Sequence, residues 1–312
     1  MLSRTADNLY WLTRYVERAE YLARILEATQ RLTAMPLAYV GETNEWESAV
    51  ATAGCAAAFF AVHAEATEET VTDFLAFSTE NPSSIRNCFE VARTNARAVR
   101  TALSREAWEG VNRAWMSVRD RTSTGGTQAT LNLIDQVKAE ARGFEGALHR
   151  MLRNEPTWFI RLGAAIERAD NSARLLDVKY HLLLPADAVV GGTIDRDQWT
   201  TILHTVSAVT AYRWLYRDGL KPWLVAELLI LRNELPRSLA ASMEEVVTLL
   251  TALSRRSGKQ GEADRLARSK LTRLRQSSID ALFQSGLHEY LQNFLTENGR
   301  LDQAIAQQFR FA

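Results

Sequence analysis

The stretch Tyr15-Val-Glu-Arg-Ala-Glu-Tyr-Leu-Ala-Arg-Ile-Leu-Glu27 returns 150 residues later as Ala165-Ile-Glu-Arg-Ala-Asp-Asn-Ser-Ala-Arg-Leu-Leu-Asp177. On a 3.6-residue wheel, Leu9, Leu12, Val16, Ala19, Ala23 and Leu26 make one apolar stripe. Phe159, Leu162, Ile166, Ala169, Ala173 and Leu176 repeat it. This period predicts two long amphipathic helices, and the alanines in mid-stripe let another helix approach closely. No alternating apolar/polar run long enough for a sheet occurs, so the expected fold is all-α, a multi-helix bundle.

Working outward, Asn8–Glu27 and Trp158–Asp177 agree at seven of twenty positions, with Glu20/Asp170 and Glu27/Asp177 as conservative pairs. Trp46 matches Trp199 at an offset of 153. Asp73, Leu75, Pro82, Ser84 and Ile85 match Glu227, Leu229, Pro236, Ser238 and Leu239 at 154. Ordered matches with slowly drifting offsets predict two tandem pseudo-repeats related by a pseudo-two-fold axis. The expected division is a first helical repeat over 1–152, a second over 153–256, and C-terminal helices over 257–312 completing the same domain.

Between these landmarks, Ser3 is expected to cap a helix running to about Thr33, before Pro36. A second helix should follow Asn44, and Thr67 or Glu68 should begin a third. Pro82-Ser83-Ser84 should start a long one through Leu103, with Pro82 in its first turn. Ser104 or Arg105 should open the next. A polar loop over Thr122–Thr127 should precede a helix to about Leu152, and Ser257-Gly-Lys-Gln-Gly261 reads as another loop.

Composition limits the function classes. The 312 residues hold 37 basic and 37 acidic side chains, so bulk charge gives no reason to expect nucleic acid or an anionic membrane as partner. The richest apolar stretch, near Thr201 to Leu231, is broken by Arg213, Arg217, Asp218, Lys221 and Glu227. Arg4, Asp7, Arg14 and Glu17 occupy the place where a signal peptide needs unbroken apolar sequence. Cys55 and Cys88 belong to no CxxC pair and read as reduced, small apolar residues. The expectation is a soluble, cytoplasmic protein.

Beside the stripe runs a polar row, Glu17, Glu20, Arg24 and Glu27, kept in the second stretch as Glu167, Asp170, Arg174 and Asp177 while neighbours drifted. Solvated helix pairs are worth only roughly 0.2–0.5 kcal/mol each, and so constrain sequence little. Arg18, answered by Arg168, falls among Trp11, Tyr15, Leu22 and Ile25, where an unpaired guanidinium is costly. It needs a carboxylate or an anionic ligand. The helix after Pro82 offers a complement, with Arg86, Glu90, Arg93, Arg97 and Arg100 along one side and Asn95 near it. Facing the acidic helices, Arg93 and Arg97 would pair with Glu20, Glu17 or Asp170. The result is either a buried ion-pair network or a cleft for a carboxylate or phosphate. Because the second half has Val247, Leu249 and Thr251 in place of Arg93, Asn95 and Arg97, such a site would be single.

Other signals are weaker. His63, His149, His181, His204 and His288 form neither HExxH nor the ExxH of di-iron bundles. Glu17-x-x-Glu20 with Glu167-x-x-Asp170 could hold Mg²⁺, but adjacent arginines compete. The expectation is therefore no cofactor and no metal. Gly125-Gly126 is a plain turn, not a phosphate loop, and no GxSxG elbow occurs.

Met1-Leu-Ser-Arg-Thr-Ala-Asp-Asn-Leu-Tyr-Trp11, Tyr15-Val-Glu-Arg-Ala-Glu20, Asn81-Pro-Ser-Ser-Ile85, Ala92-Arg-Thr-Asn-Ala-Arg97, Trp108-Glu-Gly-Val-Asn112 and Ile166-Glu-Arg-Ala-Asp170 together resemble the bacterial alpha-E domain family. The resemblance implies a helical protein encoded beside, or fused to, a circularly permuted ATP-grasp ligase, often with transglutaminase-like peptidases. It implies characteristic positions at Glu17, Arg18, Glu20, Arg24, Arg93, Asn95, Arg97, Glu167, Arg168, Asp170 and Arg174. Thr94 stands where the family often has an acid. The function expected on this basis is an accessory partner of an ATP-grasp peptide or amide ligase, binding an acidic or peptide-like ligand. The alternatives are an enzyme using Glu17 or Glu167 as general base or Mg²⁺ ligand, and a structural assembly protein.

Overall fold

The computed structural model describes residues 1–34, 44–123, 125–181, 192–258 and 260–311, without the side chains of 178–181 and 193–194. Pro36, Thr124, Lys259 and the side chain of His181 lie outside the described residues. Among the described residues every regular element is helical.

In the first half these are α1 (Ser3–Thr33), α2 (Glu45–Thr52), α3 (Ala56–Phe60), α4 (Glu68–Ala76), α5 (Ile85–Ala98), α6 (Arg105–Val118) and α7 (Thr127–His149). The rest comprise α8 (Glu155–His181), α9 (Thr193–Thr205), α10 (Val209–Leu215), α11 (Pro222–Ile230), α12 (Leu239–Ser257), α13 (Glu262–Gln276), α14 (Ile279–Gln284) and α15 (Leu287–Phe309). No helix among the described residues is long and apolar enough to cross a membrane.

Capping residues set several starts. The side chains of Asn44, Thr67, Ser84 and Ser104 each accept a backbone N–H from the first turn of α2, α4, α5 and α6. Three boundaries differ from expectation. Ser3 is the first helical residue of α1, not its cap. Pro82 stands before α5, inside a turn closed by Ser84 N–H on the Asn81 carbonyl at 2.9 Å, where its fixed φ suits the second turn position. α5 also stops at Ala98, and a 3-10 turn over Arg100–Ala102 replaces its expected last turn.

At the centre α1 packs along α8, and both apolar stripes read from the sequence are buried. α5 covers α1 through Ile85, Cys88, Phe89, Ala92 and Ala96, while α12 covers α8 through Leu239, Met243, Val246 and Leu250. α7 also lies on α1, and α15 on α8. The N- and C-terminal segments meet: Tyr10 Oη donates to Asp302 at 2.5 Å, and Phe311 packs against Tyr10 and Phe159.

The central pair approaches so closely that its backbones nearly touch. Thr13 Oγ1 donates to the Ile160 carbonyl at 2.6 Å. A Cβ on Gly163 would lie 2.1 Å from the Tyr10 carbonyl oxygen. Gly163→Ala should therefore force the helices apart and lower stability by about 3 kcal/mol, read as a lower urea midpoint. Gly146→Ala, in α7 with nothing within 4 Å of the new methyl, should be neutral or slightly stabilising.

Candidate functional site

A helix buried on nearly every side must pair its polar residues with protein groups, because water cannot reach them. α1 and α8 do so reciprocally. Glu17 and Arg18 are neighbours on α1, Glu167 and Arg168 on α8, and each glutamate takes the other helix's arginine. Arg18 grips Glu167 through Nε at 2.6 Å and Nη2 at 3.1 Å, and Arg14 Nε adds a bond at 2.8 Å. Arg168 Nη2 donates to Glu17 and, at 3.0 Å, to Glu145 of α7. The Arg237 guanidinium bridges Glu17 at 3.5 Å and Glu20 at 2.9 Å, and Arg24 closes on Glu20 at 2.7 Å. Asp302 receives the free end of Arg14 at 2.6 Å.

The electrostatics follow from this count of guanidiniums. Burial alone would raise the Glu20 carboxyl, but Arg237 and Arg24 outweigh it and hold Glu20 below its ordinary value. Burial likewise opposes Glu167, which is 2% exposed, and Arg14 and Arg18 pull it down. Both acids are thereby kept ionised and weakly basic.

One flank of this network opens into a cleft of about 320 Å³. Glu17, Glu20 and Arg168 line its polar side, and Val16, Phe144, Leu148 and Met151 an apolar side. Glu145, Arg153, Arg161 and Glu245 also reach it, with Arg161 bonded to Glu245 at 2.8 Å. Arg168 is 8% exposed, and its Nε–H is buried without an acceptor among the described residues. A guanidinium N–H left so costs on the order of 1–3 kcal/mol.

The sequence-predicted residues divide. Glu17, Arg18, Glu20, Arg24, Glu167 and Arg168 come together, and Arg18 has the carboxylate its position demanded. Asp170 and Arg174 form a separate, partly exposed pair at 2.7 Å. The expected pairing of Arg93 and Arg97 with Glu20, Glu17 or Asp170 is corrected. α5 does lie on α1, but with its apolar face, which turns the basic row away. Arg93 Nε donates to Asn112 at 2.8 Å and the guanidinium stacks on Trp115 at 4.1 Å. Glu90 and Arg97 are exposed, and Asn95 is half-buried. Arg86 lines a different hollow of about 260 Å³ with Asp73 and Phe77.

Arg14, Glu145, Arg237 and Asp302 were missed. Arg14 stands one turn before Arg18 and was legible as a second charge in a Leu-rich helix. Arg237 aligns with Ser83 at the offset of 154, so comparing the halves conceals it. The four acids considered for Mg²⁺ are each engaged by arginine, and no cluster of three or more metal-ligating side chains occurs among the described residues. Burial pushes the Cys55 and Cys88 thiols up to about 12, which makes both poor nucleophiles.

The sequence model of the Alpha-E family, described as a predicted alpha-helical domain with a conserved ER motif, matches residues 1–309. Glu-Arg occurs twice in the chain, at 17–18 and 167–168, the two pairs that exchange partners. No curated protein and no solved structure matches.

Glu167→Gln should cost about 3 kcal/mol at neutral pH, because Arg14 and Arg18 lose a buried counter-charge. The Glu167 pKa in the folded protein lies below 4.5, so its stabilisation is complete above that pH and is lost as pH falls through the folded value. Urea titrations should show a shallower loss of stability below pH 4.5 in the variant than in the wild type.

Proposed function

Because the chain belongs to the Alpha-E family, we propose that it is a non-ATP-binding helical partner of an ATP-grasp peptide or amide ligase, its α1–α8 cleft holding an acidic or peptide-like ligand. The observation that carries the binding site is the cleft itself, where Glu17, Glu20 and the paired Arg168 guanidinium stand across from Phe144 and Leu148. The lining suits a peptide-like molecule in three ways. Arg153 and Arg161 offer positive charge for a carboxylate, Glu145 and Glu20 offer negative charge for an amine, and Phe144 and Leu148 offer apolar surface for the carbon chain. The link to the ligase rests on the resemblance described for the sequence.

The same reading treats the halves as diverged copies. The reciprocal Glu-Arg exchange supports it, as does the parallel order in which α5, α6 and α7 follow α1 and α12, α13 and α15 follow α8. The reading of Glu167 as general base is disfavoured, since two arginines hold its pKa down and a useful base needs a value near working pH.

Calorimetric titration with glutamate-containing dipeptides, their amidated counterparts and the cognate ligase tests the assignment. Arg153→Ala with Arg161→Ala should weaken carboxylate-bearing ligands about tenfold, the scale of a hydrogen bond to a charged group. Both residues are exposed, so the thermal midpoint should hold. Arg97→Ala should leave binding unchanged. Equal affinity of wild type and the double variant for every ligand that binds would remove the cleft assignment.

A further inference from the structure

Lysine is scarce in this chain: five residues, Lys138, Lys179, Lys221, Lys259 and Lys270, among 37 basic side chains. Lys138 is paired with Glu27 and Lys221 with Asp218. Lys270 differs. It is 3% exposed between α13 and α15, and no carboxylate among the described residues comes within ion-pair distance of it. Its Nζ donates to the Phe294 carbonyl at 2.8 Å and sits 3.5 Å from the centre of the Phe294 ring. Arginine serves nearly everywhere else in this protein for buried charge. An ammonium is the cation that can shed its proton, which a guanidinium cannot. Burial lowers the Lys270 amine to about 7, with Glu297 and Asp170 too remote to offset it and Arg273 adding to the effect.

Lys270 does not sit wholly in solid core. It lines a hollow of about 170 Å³ together with Arg273, Ser277, Tyr290, Asn293 and Glu297. Arg273, on the rim, is bonded to Glu297. The Tyr290 hydroxyl is pushed up to about 12 by burial, so it stays protonated. A nucleophilic amine thus stands beside a small space whose rim carries the Asn293 amide and the Arg273 guanidinium, the latter shared with Glu297, donors that suit a carboxylate.

We propose that Lys270 is the nucleophile of a second site, which takes a small 2-oxo acid and holds it as an imine. The Nζ lone pair attacks the ketone carbon, and the C=O π electrons pass to oxygen. The carbinolamine then loses water as C=N forms. Both amine hydrogens and the ketone oxygen leave in that water, so no oxidant, reductant or metal is needed. The Tyr290 O–H can protonate the departing oxygen, and the rim donors hold the carboxylate. This site is independent of the α1–α8 cleft and of its ligand.

The test is incubation of the native protein with pyruvate and cyanoborohydride at pH 7, followed by digestion and peptide mass mapping. A reduced pyruvyl group should form at Lys270 at least about tenfold faster than at Lys138 or Lys221, because more of the Lys270 amine is unprotonated at that pH. Labelling should lose its selectivity in urea, and Lys270→Arg should abolish it in the native protein. If that variant does not fold, the wild-type map alone decides. Native protein labelled at Lys138 or Lys221 but not at Lys270 would overturn the site. Equal labelling by neutral pyruvamide would overturn the 2-oxo acid assignment.

Discussion

The structure depends on one exchange: Glu17 of α1 binds Arg168 of α8, and Glu167 of α8 binds Arg18 of α1. Removing four charges from water costs several kcal/mol per ion, and the attraction between them recovers this only with good geometry and complete hydrogen bonding. The surrounding arrangement supplies the geometry and most of the bonds, leaving the Arg168 Nε–H without an acceptor among the described residues. Arg14 and Arg237 bring second guanidiniums to the two glutamates, and Glu145 and Asp302 take up the positive charge left over. Helices α7 and α15 and the segment before α12 are therefore electrostatic parts of the central pair, besides being its apolar cover.

Close backbone approach and charge exchange require each other. Gly163 and the buried alanines Ala19, Ala23, Ala169 and Ala173 bring the axes near enough for short bidentate contacts. Arginine is the residue that can use that distance, since its planar fork meets both oxygens of a carboxylate. Sliding one helix by a residue, about 1.5 Å, would break the Thr13–Ile160 bond and the ion pairs together. A purely apolar seam would tolerate such a slip far better, so the charges fix register as well as contributing attraction.

Much of this was legible in the sequence. Periodicity identified the long helices, and Asn44, Thr67 and Ser104 marked helix starts where capping side chains stand, whereas Pro82 drew attention from Ser84, the actual cap of α5. The short helices α3, α10 and α14 span too few turns to show a period. At the site, Arg18 could be told to need a carboxylate because it lay among aromatic and aliphatic neighbours. Arg93 and Arg97 were misplaced for a definite reason. A wheel shows which residues share a face, but the partner of that face is decided by the apolar side, here Cys88, Phe89 and Ala92 turned onto α1. Arg237 and Asp302 bond to residues more than 200 positions away, and no local pattern encodes such a contact.

The meeting of Tyr10 and Arg14 with Asp302 also bears on how the chain is made. α1 leaves the ribosome before its partners Glu167, Arg237 and Asp302, which bond to it from 149, 217 and 292 positions further along the chain. Until they arrive, a helix bearing three arginines and two glutamates bound for the interior has nowhere dry to settle, and it stays hydrated. The apolar contacts with α5 and α7 can form early, but the centre closes only when α15 docks. Long-range closure of this kind makes folding slow and late. A truncation within α15 should therefore disturb α1 as strongly as α15 itself.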